Sequence, residues 1–390
     1  MLRIISRLVP LLPVLAFCPL SLAQDEAVGI SDAQLADLGR SWVKAFNEHD
    51  ESALDELLAF ELLAARSAAS FTDNESERAA FVRGFMAGRG RVAQNMITQM
   101  EVANGHALYL KVHSFNGMRG ALVRYDFETQ GNNYVLLIAE NLQGSGTRVV
   151  DLFVATNGQR LSETLGAVSQ LLVAPSESLL GKLFGATSVD KDLAATFKQI
   201  GELQLQGRTA EVYAKLTELP EPIRNHRAVL NMSVQASSLL GEAAYREELA
   251  RLARHHRDDP TTTFALIDYY FYKGDFDAAM RATLSMERAF GLDAAIAMLK
   301  ANVALAASDL PQARQFAEQA VELEPENEAS RWTLLGVLMP AKQYADGIEV
   351  LDGLERDFGY EFDETAFADN EVFAGFVKSR EYAAWLDGRD

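Results

Sequence analysis

Cysteine is almost missing from this chain: its 390 residues hold one, Cys18. That residue sits in a leader-like segment, described below, so the rest of the chain has no thiol. No disulfide, thiolate nucleophile or cysteine–zinc site is then expected. Positive charge is also scarce, with 36 Lys and Arg against 55 Asp and Glu, a net charge of −19. That balance argues against a non-specific nucleic-acid binder, which needs clustered Lys and Arg for phosphates. It argues equally against docking on an anionic membrane, and it favours basic partners. No H-E-x-x-H, P-loop or G-x-S-x-G sequence is present. Gly88-Arg-Gly90 and Gly144-Ser-Gly146 are too short to be nucleotide fingerprints. The six histidines make no ligand set: His255 and His256 are neighbours, which a helix turns about 100° apart. His106 and His113 fall near opposite ends of one strand. The expectation is therefore no metal, no cofactor and more a binding protein than an enzyme.

What is there begins with residues 1–23. Arg3 and Arg7 supply a basic start, and Leu8 to Leu20 a short apolar run broken by Pro10, Pro13 and Pro19. Ser21-Leu22-Ala23 then offers small residues for cleavage, the pattern of a secretory signal peptide. Cleavage near Ala23 removes two positive charges, taking the net charge from −19 to −21. Phe17 stands before Cys18 where a lipoprotein signal wants a small residue, so a cleavable leader is preferred to a lipid anchor. A periplasmic or secreted location follows as the expectation, and the lack of cysteine fits a bacterial exported protein. The apolar run is too short to span a bilayer, and no second run of membrane length follows.

Hydrophobic residues make up 48% and charged residues 23%, the composition of a folded chain with a sizeable core. Residues 31–47 show a helical stripe of Leu35, Leu38, Trp42, Val43 and Phe46 behind the capping residue Ser31. A second helix carries Leu54, Leu57, Leu58, Leu62 and Leu63. A third begins after Asn74 or Ser76 and runs past Met96. The period then falls to two, with strands at 107–113, 120–127, 134–139 and 148–154. Asn116-Gly117, Gly131-Asn132-Asn133 and Gly144-Ser-Gly146 read as hairpin joints, so the sheet should be antiparallel. The third strand, apolar on both faces, should be central. Leu161 to Val173 read as a helix, and Ala174-Pro175-Ser176 as the first linker.

From about residue 191 the chain reads as nearly all helix. Two hairpins, 193–219 and 227–257, precede a clearer pattern. Gly274-Asp275-Phe276-Asp277-Ala278-Ala279 is echoed by Ser308-Asp309-Leu310-Pro311-Gln312-Ala313, 34 residues later. Residues 328–360 make a third unit through Trp332-Thr-Leu-Leu-Gly336, Tyr344 and Gly347, its first helix one residue out of frame. The period and these positions resemble the tetratricopeptide repeat. The resemblance implies paired helices, with Ala279 and Ala313 permitting close approach, stacked into a solenoid whose surface holds a protein or peptide. The Lys/Asn/Arg clamp of the chaperone-binding members is not recognisable, so that ligand is not carried over. In the N-terminal half, Trp42…Phe46-Asn47-Glu48-His49-Asp50 and Val150-Asp151-Leu152-Phe153…Asn157-Gly158 resemble the nuclear-transport-factor-like (SnoaL-like) cone fold.

The expected architecture is an α+β domain, helices on a curved antiparallel sheet, followed by an all-α helical-repeat solenoid. Its boundaries are a leader at 1–23, a cone-like domain at 28–165, a connecting segment at 166–190, repeats at 191–361 and capping helices at 362–390. Asp151 shares a strand face with Val149 and Phe153, where a carboxylate must be paired or pay for desolvation. It is salt-bridged, or simply at the sheet edge, or part of a ligand cavity with Arg124, Tyr109 and His113. Among Tyr269-Tyr270-Phe271-Tyr272, Tyr269 and Tyr272 are candidates for a groove that holds a peptide. Three functions stay open: an exported interaction scaffold without catalysis, an N-terminal cone that binds a small apolar molecule or turns it over as a hydrolase or isomerase would, and self-association through the repeats.

Overall fold

A computed structural model describes residues 29–70, 72–87, 90–127, 131–156, 158–168, 191–258, 262–363, 365–367 and 370–388. The expected leader and most of the connecting segment at 166–190 lie outside these residues. The chain divides into two compact units at Tyr269 and Tyr270.

The first unit opens with five helices: α1 (Asp32–Asn47), α2 (Glu51–Leu57), α3 (Phe60–Ala69), α4 (Glu75–Ala87) and α5 (Gly90–Val102). Ser31 caps α1 by a reciprocal box, its Oγ accepting from Gln34 N at 3.2 Å while Ser31 N donates to Gln34 Oε1 at 2.9 Å. The stripe Leu35, Leu38, Trp42 and Phe46 is buried, as its spacing requires. The leucine-rich segment expected as one helix is two, α2 and α3. The chain extends at Leu58–Ala59, where Ala59 N donates to Val149 O at 2.8 Å. An edge-strand carbonyl there takes a donor that a continuous helix would have kept for itself.

Five antiparallel strands follow in sequential order: β1 (Gly105–Phe115), β2 (Met118–Phe127), β3 (Gly131–Leu142), β4 (Gly146–Val154) and β5 (Gln159–Arg160). β3 is the middle strand, as its two apolar faces demand. Asn116 and Gly117 both have positive φ, 49° and 76°, the backbone of a two-residue hairpin turn. Register slips leave Leu110 on β1 and Val150 on β4 unpaired. Such bulges bend a sheet. One face carries Ala107, Ala121, Val123, Tyr125, Val135, Leu137 and Leu152 into a core shared with Trp42 and Phe46. On the other face Phe115 of β1 and Phe153 of β4 touch, ring centroids 5.2 Å apart. Strand spacing alone would separate those strands by about 14 Å, so the sheet curls toward that face.

The unit continues with α6 (Leu161–Val168), α7 (Lys191–Leu205), α8 (Thr209–Glu218), the single turn α9 (Glu221–Arg224), α10 (Arg227–Leu240) and α11 (Glu242–His256). Phe197, Ile200, Val212, Leu216, Val229 and Met232 form the core of α7, α8 and α10. Helix α12 (Ile267–Lys273) contains the division between the units.

The second unit is helical: α13 (Phe276–Phe290), α14 (Ala294–Ala306), α15 (Leu310–Leu323), α16 (Glu328–Leu338), α17 (Tyr344–Phe358) and α18 (Arg380–Asp387). Three of its turns are copies of one another. Gly274, Ser308 and Lys342 stand 34 residues apart with φ of 71°, 63° and 58°. The next residues, Asp275, Asp309 and Gln343, have φ/ψ of −86°/71°, −86°/75° and −91°/62°. Their amides donate to Tyr270, Ala304 and Leu338 oxygens at 3.0, 2.9 and 3.0 Å. The turns thus keep the 34-residue frame. Buried positions recur with them: Ala279, Ala313 and Gly347, then Thr283, Ala317 and Leu351, then Met286, Ala320 and Leu354. After α17, Phe362, Phe367, Phe373, Phe376 and Tyr382 pack on Leu335, Leu351 and Leu354 and cover that end of the helices.

Candidate functional site

Asp151 is 1% exposed and fully engaged. Its Oδ1 accepts from Leu152 N at 2.9 Å and Ser162 N at 3.0 Å, and its Oδ2 accepts from Ser162 Oγ at 2.5 Å. The carboxylate therefore ties β4 to the first turn of α6. Burial raises its pKa, and the Ser162 and Leu152 hydrogen bonds and the Arg160 charge oppose that rise. Arg124, also 1% exposed, makes a bidentate pair with Asp126 at 2.7 and 2.8 Å, and Asn132 donates to the same carboxylate. His113 lies in register with Gly120, Ile138 and Asp151 across the four strands, on the face they share. Arg124 is four residues further along β2 from Gly120, about 13 Å by strand rise. Arg124 and Asp151 share a face but sit at different levels of it.

Tyr109 points to the opposite face. Its ring lies where a side chain on Gly39 would sit, 2.4 Å from the position of an added Cβ, and Arg40 stands over it at 5.7 Å. It is a packing residue between β1 and α1. The expected quartet is thus not brought together. Between α1 and the sheet the side chains pack closely. Trp42 Nε1 donates to Tyr125 OH at 2.6 Å, and Phe46 meets the Tyr125 ring edge-on at 5.4 Å. Burial lifts the Tyr125 phenol well above its ordinary value. Tyr269 and Tyr272 are each half-buried on α12.

A polar cluster that sequence reasoning passed over lies among α8, α9 and α11. Glu248 is 0% exposed, with Arg224 Nη2 at 2.9 Å and the Tyr213 hydroxyl donating to it at 3.2 Å. Arg251 Nε stands 3.7 Å from the second carboxylate oxygen, and its Nη1 donates to Asn225 Oδ1 at 2.9 Å. Burial and the Glu248 charge push the Tyr213 pKa up to about 12, so it stays a donor. His226 caps α10, its Nδ1 accepting from Ala228 N at 3.4 Å. Burial, with His256 nearby, brings its pKa down to about 4, keeping the ring neutral as the cap requires. The signal was present: Tyr245, Glu248, Leu249, Leu252 and Ala253 form the buried stripe of α11, with a carboxylate inside it. Nothing in the cluster pairs a nucleophile with a base, and its two guanidinium groups hold the carboxylate in place. It reads as a fastening between helices.

The second unit presents charge. Residues 270–390 hold 11 Lys and Arg against 23 Asp and Glu, a net of −12 out of the chain's −19. Helix α14, apolar but for Lys300 and Asn302, is buried along most of its length, Ile296, Met298, Lys300 and Val303 included. Exposed positions fall instead on Gln312, Gln315, Glu322 and Leu323 of α15 and on Glu349 and Asp352 of α17. Among the described residues no group of three or more His, Asp or Glu is placed to hold a metal, and no helix is long and apolar enough to cross a membrane. No family model, curated protein or solved structure matches this chain.

Proposed function

We propose that the protein is an exported interaction platform without catalysis, whose second half is a tetratricopeptide-type stack of helix pairs that binds a protein or peptide. The observation that carries this reading is the recurrence at 34 residues of one turn and of the buried positions behind it. Repetition of that kind builds surface, since each pair must stack on a neighbour to bury its apolar side. The charge of the unit makes the partner basic, and its binding sensitive to salt. Because α14 offers little exposed surface, the contact falls on α15 and α17 and not on a tyrosine-lined groove. The alternative, a small apolar ligand inside the N-terminal domain, would have to displace Trp42, Phe46 and Tyr125 from a packed core.

The test is capture of partners by the full chain from periplasmic extract. A second bait carries Glu322→Lys, Glu349→Lys and Asp352→Lys together. A partner retained by the native chain, released by salt and lost with the triple variant supports the platform. Capture that is the same with both baits removes these faces from the binding surface, and no reproducible partner removes the platform.

A further inference from the structure

A cleft of about 280 Å³ opens between α1, α2 and the start of β4. It borders the core of the N-terminal domain at Ala45 and Leu57, and Asp151, Arg124, Tyr109 and His113 are not part of its lining. Its apolar side is Ala45 and Leu57; its charged side is Lys44, Glu48, Glu56 and Arg148. The size suits a small molecule, since drug-sized sites begin near roughly 300 Å³.

Arg148 decides what the cleft wants. It is half-buried, and Glu140 is its register partner on β3. That carboxylate is taken by Arg66 of α3, an ion pair that leaves Arg148 without its natural counter-ion. Arg148 Nη1 donates to Thr147 O at 3.1 Å, and among the described residues no carboxylate lies within 4.0 Å of its guanidinium. A half-buried guanidinium in this position is a receptor for an anionic oxygen pair. Lys44 adds a second cation, held only loosely by Glu48 at 3.9 Å. Yet Glu48, Glu56 and Asp50 also line the cleft, so a plain anion meets as much repulsion as attraction. Asp50 is occupied capping α2, accepting from Ala53 N at 2.9 Å, whereas Glu56 has no ion-pair partner among the described residues. Unsatisfied charges of both signs, on one small cleft with an apolar side, match a molecule that carries both.

We propose that this cleft binds a small zwitterion, a free α-amino acid being the simplest of the class. Its carboxylate pairs with Arg148 and Lys44, its ammonium with Glu48 and Glu56, and a short apolar side chain rests on Ala45 and Leu57. The site does not depend on the helix pairs of the second unit.

Titration calorimetry of the full chain tests this, with alanine, valine and leucine, their N-acetyl forms and their amides as probes. The expected result is saturable binding of at least one free amino acid, at least about tenfold weaker for its N-acetyl form and its amide. Arg148→Met should weaken it by a similar factor, and Glu56→Gln by about threefold or more, with the far-ultraviolet circular dichroism unchanged. Glu56 is exposed, so its variant carries the test if Arg148→Met does not fold. No saturation by any free amino acid at roughly 10 mM overturns the proposal. So does acetate or an N-acetyl form binding as well as the parent, or native affinity in both variants.

Discussion

Two helical regions of this chain solve the same packing problem with different chemistry. In α13 to α17 the seams are lined by small and apolar residues at a fixed interval, Ala279, Ala313 and Gly347 among them. The ion pair of Arg314 with Glu318 and Asp346 is partly exposed, and the one deep cation there, Lys300 of α14, meets Glu287 of α13 at 2.9 Å with no second cation beside it among the described residues. In α8 to α11 the seam contains a buried carboxylate, two guanidinium groups, a phenol and a neutral histidine. The first arrangement is tolerant and repeatable, because any helix pair with a small residue at that position fits the next. The second is specific, because a buried carboxylate accepts only neighbours that supply donors. Regularity goes with surface, and irregularity with a fixed local joint.

The largest expected effect lies in the irregular seam. Glu248→Ala leaves Arg224 and Arg251 half-enclosed without their anion, and should cost about 3–5 kcal/mol in urea unfolding. Arg314→Ala at the periodic rim should cost under about 1 kcal/mol, since its pairs are partly exposed. Equal costs would dissolve the contrast. Next comes pH. His226 has a folded pKa brought down from 6.5 to about 4, so the folded state binds fewer protons than the unfolded state between those values. Its contribution is intact above pH 6.5 and is lost as pH falls toward 4, a difference of about 3 kcal/mol at most. Thermal unfolding at pH 7.5 and pH 4.5 should show that loss in the native chain and less of it in His226→Asn, which keeps a capping oxygen. A pH response identical in the two proteins would assign the titration elsewhere.

The same contrast explains what could be read from sequence. The four main strands, their antiparallel order and the Asn116-Gly117 turn were legible because a one-sided period and positive-φ residues are local signals. So was the 34-residue frame, because Gly274 and Asp275 announce the turn that Ser308 and Lys342 then repeat with less typical residues. The break at Leu58–Ala59 was not legible, since it is set by Val149, some ninety residues away in the chain. Asp151 was found as a carboxylate beside Phe153, but Val149, expected on the same face, lies on the other one because the bulge at Val150 shifts the alternation. The partner of Asp151 was missed because Ser162 lies beyond a turn on the next helix, from where both its amide and its hydroxyl reach back to the strand. Glu248 was missed because a stripe of five positions still looks apolar with one acid in it. Arg148 was missed because its register partner Glu140 is an acid, and only coordinates reveal that Arg66 holds it.

Within the periodic unit the effects become smaller and more informative about the repeat itself. Ala313→Leu puts a larger side chain into a position that is 0% exposed, and should cost about 1–3 kcal/mol by overpacking. The smallest effect concerns the turns. Ser308 and Lys342 hold φ of 63° and 58°, a left-handed backbone that side chains disfavour, whereas Gly274 at the equivalent place has no Cβ to resist it. Ser308→Gly and Lys342→Gly should each stabilise by about 0.5 kcal/mol, the relief of strain being partly offset by the extra freedom glycine gives the unfolded chain. Gly274→Ser, the reverse change at the matching turn, should destabilise by about 1 kcal/mol. The three variants together ask whether the turns are energetically as well as geometrically one motif. A stabilisation at position 342 but a loss at 308 would mean that Ser308 does something at its turn that the other two residues do not.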